Sequence, residues 1–412
     1  MLILRISELL GVNLWSYKGT VLGACTLAFF ATMVARLAIS PVVPAISDEF
    51  AVSNGAIGLA LTGMWLAYAL SQFPSGLLGD RIGERKVILI AVVGTALTST
   101  LLALVPTYAL FLTAAVALGA VAGLHYSVAT SLLTRIWPHT TGAAIGIHTI
   151  GAPVAGLVTP VAAGFVGATL GWRYAVALGA VVAVPSAIFF AQAVRATAPT
   201  RPEQSIWARL HVRPIVELLR RPPIARTVGL AVVGAFVWQA TASFLPAFLV
   251  AHHGYSEVWA GAVFSAYFVV QGVGQPAIGT LSDRIGRYPA GAAATSLGVA
   301  GYVLFVVAPN GWIIGLATVL AGIAMCWGAA LLAKFMDHLS AEERGAGFGL
   351  IRTTYMVLGA SGSVGAGLAA DAFGWGATFL GLAALLAGMT VVLVGKMLWD
   401  SHAAAPIRGD AS

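Results

Sequence analysis

Arg36 and Arg352 stand inside long apolar runs of this chain, together with His125, His148, Gln239, Gln271, Tyr267 and Tyr355. A guanidinium offers paired N–H donors in a fixed fork, which suits a carboxylate, a nitrate or a phosphate. An imidazole takes up and releases a proton near neutral pH. Carboxamides and phenols add uncharged hydrogen-bonding groups. Every Asp and Glu is assigned to a loop, a tail or a helix end, so no carboxylate falls within the same runs. Cations, imidazoles and amides without an acid suit a small anionic guest, either an organic acid or an oxyanion. No Ser/His/Asp spacing, metal-ligand spacing or GxxxxGK[ST] phosphate loop stands out. The expected chemistry is therefore binding rather than catalysis, with no enzyme activity, no metal and no cofactor.

These residues need elements to hold them at depth in a membrane. The 412 residues are 59% hydrophobic and 9% charged, with a mean hydropathy of +0.91. A soluble chain carries about 25% charged residues. Apolar stretches recur along the sequence, and most exceed the ~18 residues needed to cross a bilayer. Twelve spans are predicted. Spans 1–6 lie at about 19–43, 54–78, 87–105, 108–133, 142–167 and 172–194. Spans 7–12 lie at about 227–251, 257–281, 289–308, 311–335, 346–370 and 374–398. The expected fold is an all-α membrane protein, twelve transmembrane helices in two six-helix lobes around a central cavity. The expected divisions are an N-terminal lobe at 1–194, a linker at 195–226 and a C-terminal lobe at 227–412.

Depth singles out Arg36. It lies ten residues from Ile46 at the end of span 1. That is about 15 Å at helical rise, near the middle of a ~30 Å hydrocarbon core. An arginine there costs ~2.5–3.5 kcal/mol on insertion scales, so something must offset it. His125 sits about 15 Å into span 4, His148 about 9 Å into span 5 and Arg352 about 10 Å into span 11. Tyr355 shares the Arg352 face, and Gln271 and Gln275 share a face of span 8. The expected substrate-binding set is Arg36, His125, Gln239, Tyr267, Gln271, Arg352 and Tyr355. His125 and His148 are the expected proton-coupling pair.

The chain is also a duplication. Residues 76–86 read GLLGDRIGERK and residues 279–287 read GTLSDRIGR, with Asp80 and Asp283 lying 203 residues apart. The same interval relates Gly76 to Gly279, Arg81 to Arg284, Gly83 to Gly286, Gly119 to Gly322 and Gly171-Trp172 to Gly374-Trp375. A fixed period of this length marks a repeated unit, and a repeated apolar unit is a common transporter build. It also takes Arg36 to Gln239, so the two are expected to face each other across a pseudo-two-fold axis.

Of the 22 Lys and Arg residues, 19 fall on one side of the predicted spans, here termed the basic side. The opposite, acidic side holds Asp48, Glu49, Glu257 and Asp371. By the positive-inside rule the basic side is cytoplasmic, with both termini there, and the expected location is a plasma membrane. The net charge of +7 thus reflects topology, and no nucleic-acid partner is expected. The first sixteen residues lack a cleavable signal pattern. Cys25 and Cys326 fall inside spans and are expected to pack as small apolar residues. Residues 195–226 hold five prolines and seven arginines. Ile206, Leu210, Ile215 and Leu218 are expected to lie on the headgroups as an amphipathic helix, with Arg209, Arg213 and Arg220 facing anionic lipid.

The duplicated loop resembles the G-x-L-x-D-R-x-G-R-(R/K) signature of the major facilitator superfamily. It stands where that family has it, between spans 2 and 3 and again between spans 8 and 9. The resemblance extends over the twelve spans and the long central loop. It implies a secondary transporter of small molecules, acting as a monomer by rocking of two lobes, with symport, exchange or uniport as modes. It also implies a gating role for Gly76, Asp80, Arg81, Gly83, Gly279, Asp283, Arg284 and Gly286. In the family such an acid binds a helix start, which here places Asp80 near Gly345 and Ala346 and Asp283 near Gly142. These contacts would latch the cytoplasmic side while the other side is open. The chain departs from the family in three places. Glu84 replaces a base, Ala114 and Ala115 stand where proton-driven drug exporters carry an arginine, and Ala152 separates Gly151 from Pro153. The last two count against a proton-coupled multidrug or metabolite exporter, which stays as the alternative reading.

Overall fold

The computed structural model describes residues 16–203, 213–339 and 344–403. Helices dominate these residues, and no strand occurs among them. Span 1 is the helix Tyr17–Leu37, followed by a 3-10 turn at Ser40–Val42 and a short helix, Val43–Phe50. Spans 2–4 are Asn54–Ile82, Glu84–Leu104 and Tyr108–Ile136. Span 5 is broken into Thr141–Thr149 and Gly151–Leu170, and span 6 is Trp172–Ala193. Spans 7–9 are Pro222–His253, Glu257–Ile285 and Arg287–Val307. Span 10 is broken into Gly311–Ala324 and Trp327–Asp337. Span 11 begins as Arg344–Gly359 and continues into the helix Ser361–Ala403, which leaves helical geometry at Gly374 and carries on as span 12.

Among the described residues, nine helices are long and apolar enough to cross a membrane, and the bent pair Asn54–Gln72 and Pro74–Ile82 makes ten. One of the nine, Gly349–Trp399, has 51 residues and contains the Gly374 turn. At helical rise that is about 75 Å, more than twice the hydrocarbon core. Span 8 is outside those ten and has 29 residues. Large apolar side chains such as Leu97, Leu104, Val181 and Val391 face outward, as a lipid-facing surface requires. The protein is therefore a multi-pass membrane protein.

The duplication is written in the backbone. Among the described residues six have positive φ: Ala51, Gly83, Gly171, Gly254, Gly286 and Gly374. They form three pairs 203 residues apart: Ala51 with Gly254, Gly83 with Gly286 and Gly171 with Gly374. At Gly83 (φ 92) and Gly286 (φ 100) the chain turns sharply from one span into the next, a backbone conformation that costs an L side chain strain. Helix starts repeat as well. Ser53 accepts a hydrogen bond from the Ala56 N–H, and Ser256, 203 residues on, accepts one from the Trp259 N–H.

Glycines also bring the two lobes into close register at the acidic side. A Cβ on Gly58 of span 2 would strike the Ser363 carbonyl of span 11, and one on Gly261 of span 8 would strike the Pro160 carbonyl of span 5. Gly367 of span 11 and Gly164 of span 5 approach Asn54 and Glu257 in the same way. Each is a pair at the 203-residue interval. The 2–11 and 5–8 seams are thus closed by matched small residues, which let backbones approach. Thr62 strengthens the first seam. Its hydroxyl donates to the Ala360 carbonyl and accepts from the Val364 N–H, each at 2.9 Å.

The expected latch on the basic side takes a different form in this conformation. Asp80 accepts hydrogen bonds at its carboxylate from the Thr200 hydroxyl and at its carbonyl from the Arg201 N–H. Asp283 pairs with Arg287, and a Cβ on Gly142 would have nothing within 4 Å. The expected partners Gly345 and Ala346 lie among residues whose side chains are not described. The expected contact of Asp283 with the start of span 5 belongs to the state open on the acidic side, and in this conformation Asp283 pairs with Arg287 instead. The physical reason is the closed acidic side: two rocking lobes that meet at one end part at the other. Of the expected linker helix, Ile206, Arg209 and Leu210 lie outside the described residues. The helix found there is Arg213–Leu219, and Leu218 is buried.

Candidate functional site

A cavity of about 400 Å³ lies between the lobes. Spans 1 and 2 contribute Arg36, Trp65 and Tyr68, and spans 7 and 8 contribute Trp238, Gln239, Gln271 and Gln275. Spans 10 and 11 add Trp327, Arg352 and Tyr355. The lining contains no Asp or Glu among the described residues.

Arg36 is 2% exposed. Its Nε–H donates to the Thr32 carbonyl one turn back at 3.0 Å, and its Nη2 donates to the Met33 sulfur at 2.8 Å. Its guanidinium carbon stands 3.9 Å from the centre of the Tyr68 ring and 4.9 Å from that of Trp65. Aromatic faces attract a cation, and a desolvated pairing contributes about 2 kcal/mol. These contacts steady the charge without neutralising it. Nη1 has no hydrogen-bond partner. Arg36 is thus a buried guanidinium with an unused nitrogen, beside a cavity whose lining has no carboxylate among the described residues.

Arg352 enters from the other lobe. Its guanidinium carbon lies 4.8 Å from the centre of the Tyr126 ring of span 4. Tyr355, one turn on, meets Trp327 edge-on at 6.1 Å. Trp65 and Trp238, from opposite lobes, meet edge-on at 5.5 Å. The cavity therefore has aromatic walls and two cationic poles. Gln239 also lines it, and the Gln239 Oε1 has no partner.

The glutamines of span 8 have a structural task. Span 10 breaks after Ala324, which frees the Met325 carbonyl from the helical ladder. Gln271 and Gln275 both direct Nε2 at that carbonyl, each at 3.4 Å. The Gln271 Oε1 accepts from the Trp238 Nε1–H at 3.3 Å. Gln271 lines the cavity, but both ends of its amide are already engaged.

Two expected lining residues stand elsewhere, and this is a correction. Tyr267 is fully buried within the C-terminal lobe, beside Phe264 and Phe268, with its hydroxyl unpartnered. Span 8 is apolar on more than one face, so composition did not reveal which face meets the cavity. His125 is fully buried behind Phe29 of span 1. The rings of His125 and His148 lie side by side, with centroids 5.5 Å apart. Phe29 lies 5.8 Å from one ring and 5.1 Å from the other, and Phe29 itself lines the cavity. Tyr126 adjoins His148 at 6.1 Å and also underlies Arg352. No ring nitrogen of either histidine has a hydrogen-bond partner.

Sequence reasoning missed the acidic-side closure at Asp371. Its carboxylate accepts from the Asn54 N–H at 3.0 Å, the Asn54 side-chain amide at 2.9 Å and the Gly55 N–H at 2.7 Å. The start of span 2 has free N–H groups and a positive dipole end, which the carboxylate satisfies. Burial pushes the Asp371 carboxyl up, but the hydrogen bonds from Gly55, Asn54 and Ser53 outweigh it and hold it below its usual range. Nearby, Arg173 and Trp172 bond to Glu49 and hold that carboxyl low, within the N-terminal lobe.

Residues 25–265 and 231–410 match the sequence profile of the Major Facilitator Superfamily. The class C tetracycline resistance protein of Escherichia coli is 32% identical over 142 residues, 34% of this chain and 35% of that protein. A Cupriavidus necator protein named as a probable sulfoacetate transporter is 28% identical over 163 residues, 39% of this chain and 38% of that one. The matches thus span little more than a third of those curated relatives. An inward-facing, unoccupied structure of a bacterial homolog to the human lysosomal transporter Spinster superposes with a TM-score of 0.76 at 19% identity. It covers 92% of this chain and 95% of that one, and the likeness shows the fold.

Proposed function

The chain belongs to the Major Facilitator Superfamily, and from that premise we propose that it is a secondary transporter of a small organic or inorganic anion. Arg36 holds the anion at the centre of the cavity. The observation that carries this reading is the buried Arg36 guanidinium with an unpartnered Nη1, in a lining with no carboxylate among the described residues. Arg352 supplies a second positive pole from the other lobe, and Gln239 a neutral hydrogen-bonding group. The resemblance to a sulfoacetate transporter supports the class, since sulfoacetate carries two anionic groups.

Transport proceeds by alternating access around this site, with twelve spans in two lobes and the basic side facing the cytoplasm. Closure of the 2–11 and 5–8 seams leaves the acidic side sealed, so the site in this state communicates with the cytoplasm. The His125–His148 pair carries any proton coupling. The two imidazoles lie 5.5 Å apart. The alternative is a drug or metabolite exporter, favoured by the tetracycline resistance relative and by the tryptophan-rich walls.

The test is uptake into proteoliposomes of a panel of sulfoacetate, benzoate, nitrate, phosphate, a sugar and a cationic dye. An anion carried by the native protein and lost in Arg36→Ala and Arg36→Lys supports the proposal. Full anion uptake by both variants, or transport of the dye alone, overturns it.

A further inference from the structure

A second cavity, of about 260 Å³, opens at the basic side of the C-terminal lobe. The starts of spans 7 and 9 and the ends of spans 10 and 12 enclose it, placing Arg226, Lys334, His338, Lys396 and Tyr288 in its wall. No carboxylate lines it among the described residues. Lys334 lies 5.2 Å over the Tyr288 ring. Arg287, just outside, engages the nearby carboxylates of Asp283 and Asp337. Burial and the adjacent Lys334 charge push the His338 imidazole below its usual range, against a smaller opposing pull from Asp337.

The duplicated unit provides an internal control. At the 203-residue interval, Arg226, Lys334 and Lys396 correspond to Gly23, Ser131 and Ala193. His338 corresponds to Arg135, which pairs at 2.9 Å with the buried carboxylate of Glu84. Glu84 itself corresponds to Arg287. Arg85, the counterpart of Tyr288, donates to the Val194 and Ala191 carbonyls at 2.6 Å. The N-terminal corner therefore engages both of its arginines within the protein, one with a carboxylate and one with backbone carbonyls. In its C-terminal copy Tyr288 and His338 replace the two arginines, Arg287 replaces Glu84 and Asp337 replaces Thr134, while Arg226, Lys334 and Lys396 are new, a net gain of positive charge. The topology of the spans is the same in both lobes, so topology alone does not explain this surplus.

The cavity also has a polarity gradient. Its cations lie at the ends of the spans, while Leu230, Val392 and Leu393 line it towards the membrane. Val392 is 55% exposed, on the lipid-facing surface. A free inorganic anion has no use for that apolar side. A molecule with a phosphate at one end and methylenes at the other fits both.

We propose that this corner binds the phosphate of an anionic phospholipid headgroup, held by Arg226 and Lys334, with the first acyl methylenes along Val392 and Leu230. The site is independent of the central cavity and of the cargo.

The test is thermal unfolding of the full chain in neutral detergent. The probes are short-chain phosphatidylglycerol, short-chain phosphatidylcholine and inorganic phosphate. Phosphatidylglycerol is expected to raise the midpoint by about 2–4 °C, and the other two are not. The double variant Arg226→Gln, Lys334→Gln is expected to lose that shift, and Lys334→Arg to keep it. Equal shifts with phosphatidylcholine overturn the proposal, as does a shift that survives the double variant. An equal shift with inorganic phosphate overturns the lipid as its source. Should the double variant not fold, native mass spectrometry of the unmodified protein with equimolar phosphatidylglycerol and phosphatidylcholine decides. Preferential retention of phosphatidylglycerol supports the site and equal retention overturns it.

Discussion

Ser40 donates a hydrogen bond of 2.9 Å to the carbonyl of Ser243, and the two residues are 203 apart, the interval that relates the two halves. Residues at equivalent places in two copies touch each other only on the axis between them. Arg36 and Gln239 precede these serines by four residues on spans 1 and 7, and both line the central cavity. The central cavity thus lies beside the pseudo-two-fold axis that relates the two halves.

The carboxylate of Asp371 joins span 11 to the start of span 2 across the lobes. Asp371→Asn is expected to weaken that seam by about 1 kcal/mol, the low end for a charged hydrogen bond at a partly exposed site. Spin labels on the acidic-side ends of spans 2 and 11 should then report a several-fold larger open population. The hydrogen bonds hold the carboxyl low, so its contribution is fully present above the ordinary carboxylate range. It is lost as pH falls through the still lower closed-state value. In the native protein the open population of this seam should therefore rise by the same several-fold only in strong acid. An unchanged distance distribution in the variant at pH 7 would contradict the assignment.

Gly58 and Gly261 close equivalent seams. Gly58→Val forces a side chain against the Ser363 carbonyl, an overpacking that costs about 1–3 kcal/mol. The variant should fold, hold the acidic side open and transport at least ~5-fold more slowly. Gly261→Val should behave alike, through Pro160. Wild-type transport rates in both variants would show that the seams do not gate.

The buried histidine pair separates coupling from binding. The double variant His125→Gln, His148→Gln should retain anion binding, because neither ring lines the cavity. It should lose the dependence of uptake on an imposed proton gradient. Uptake still driven by that gradient would exclude the pair.

Much of this arrangement was legible in the sequence, for physical reasons. The repeat was visible because the same turns need glycine in both halves, as at Gly83 and Gly286. Arg36 could be placed by depth alone, since a mid-membrane cation must face something other than lipid. Tyr267 was misplaced because a helix that is apolar on several faces hides its rotational setting. His125 was placed one layer too close to the cavity, because Phe29 intervenes from another span. The Asp371–Asn54 contact joins residues 317 apart in different lobes, and no local pattern announces such a pairing.

Ligand-induced thermal stabilisation, compared between the native protein and Arg36→Gln, tests the central claim most directly. At least one anion of the panel should stabilise the native protein, while the sugar and the cationic dye should not. Arg36→Gln should lose most of that affinity, on the order of 10–100-fold for a charged hydrogen bond. Undiminished anion binding by Arg36→Gln, or stabilisation of the native protein by the dye alone, would contradict an anion held at Arg36.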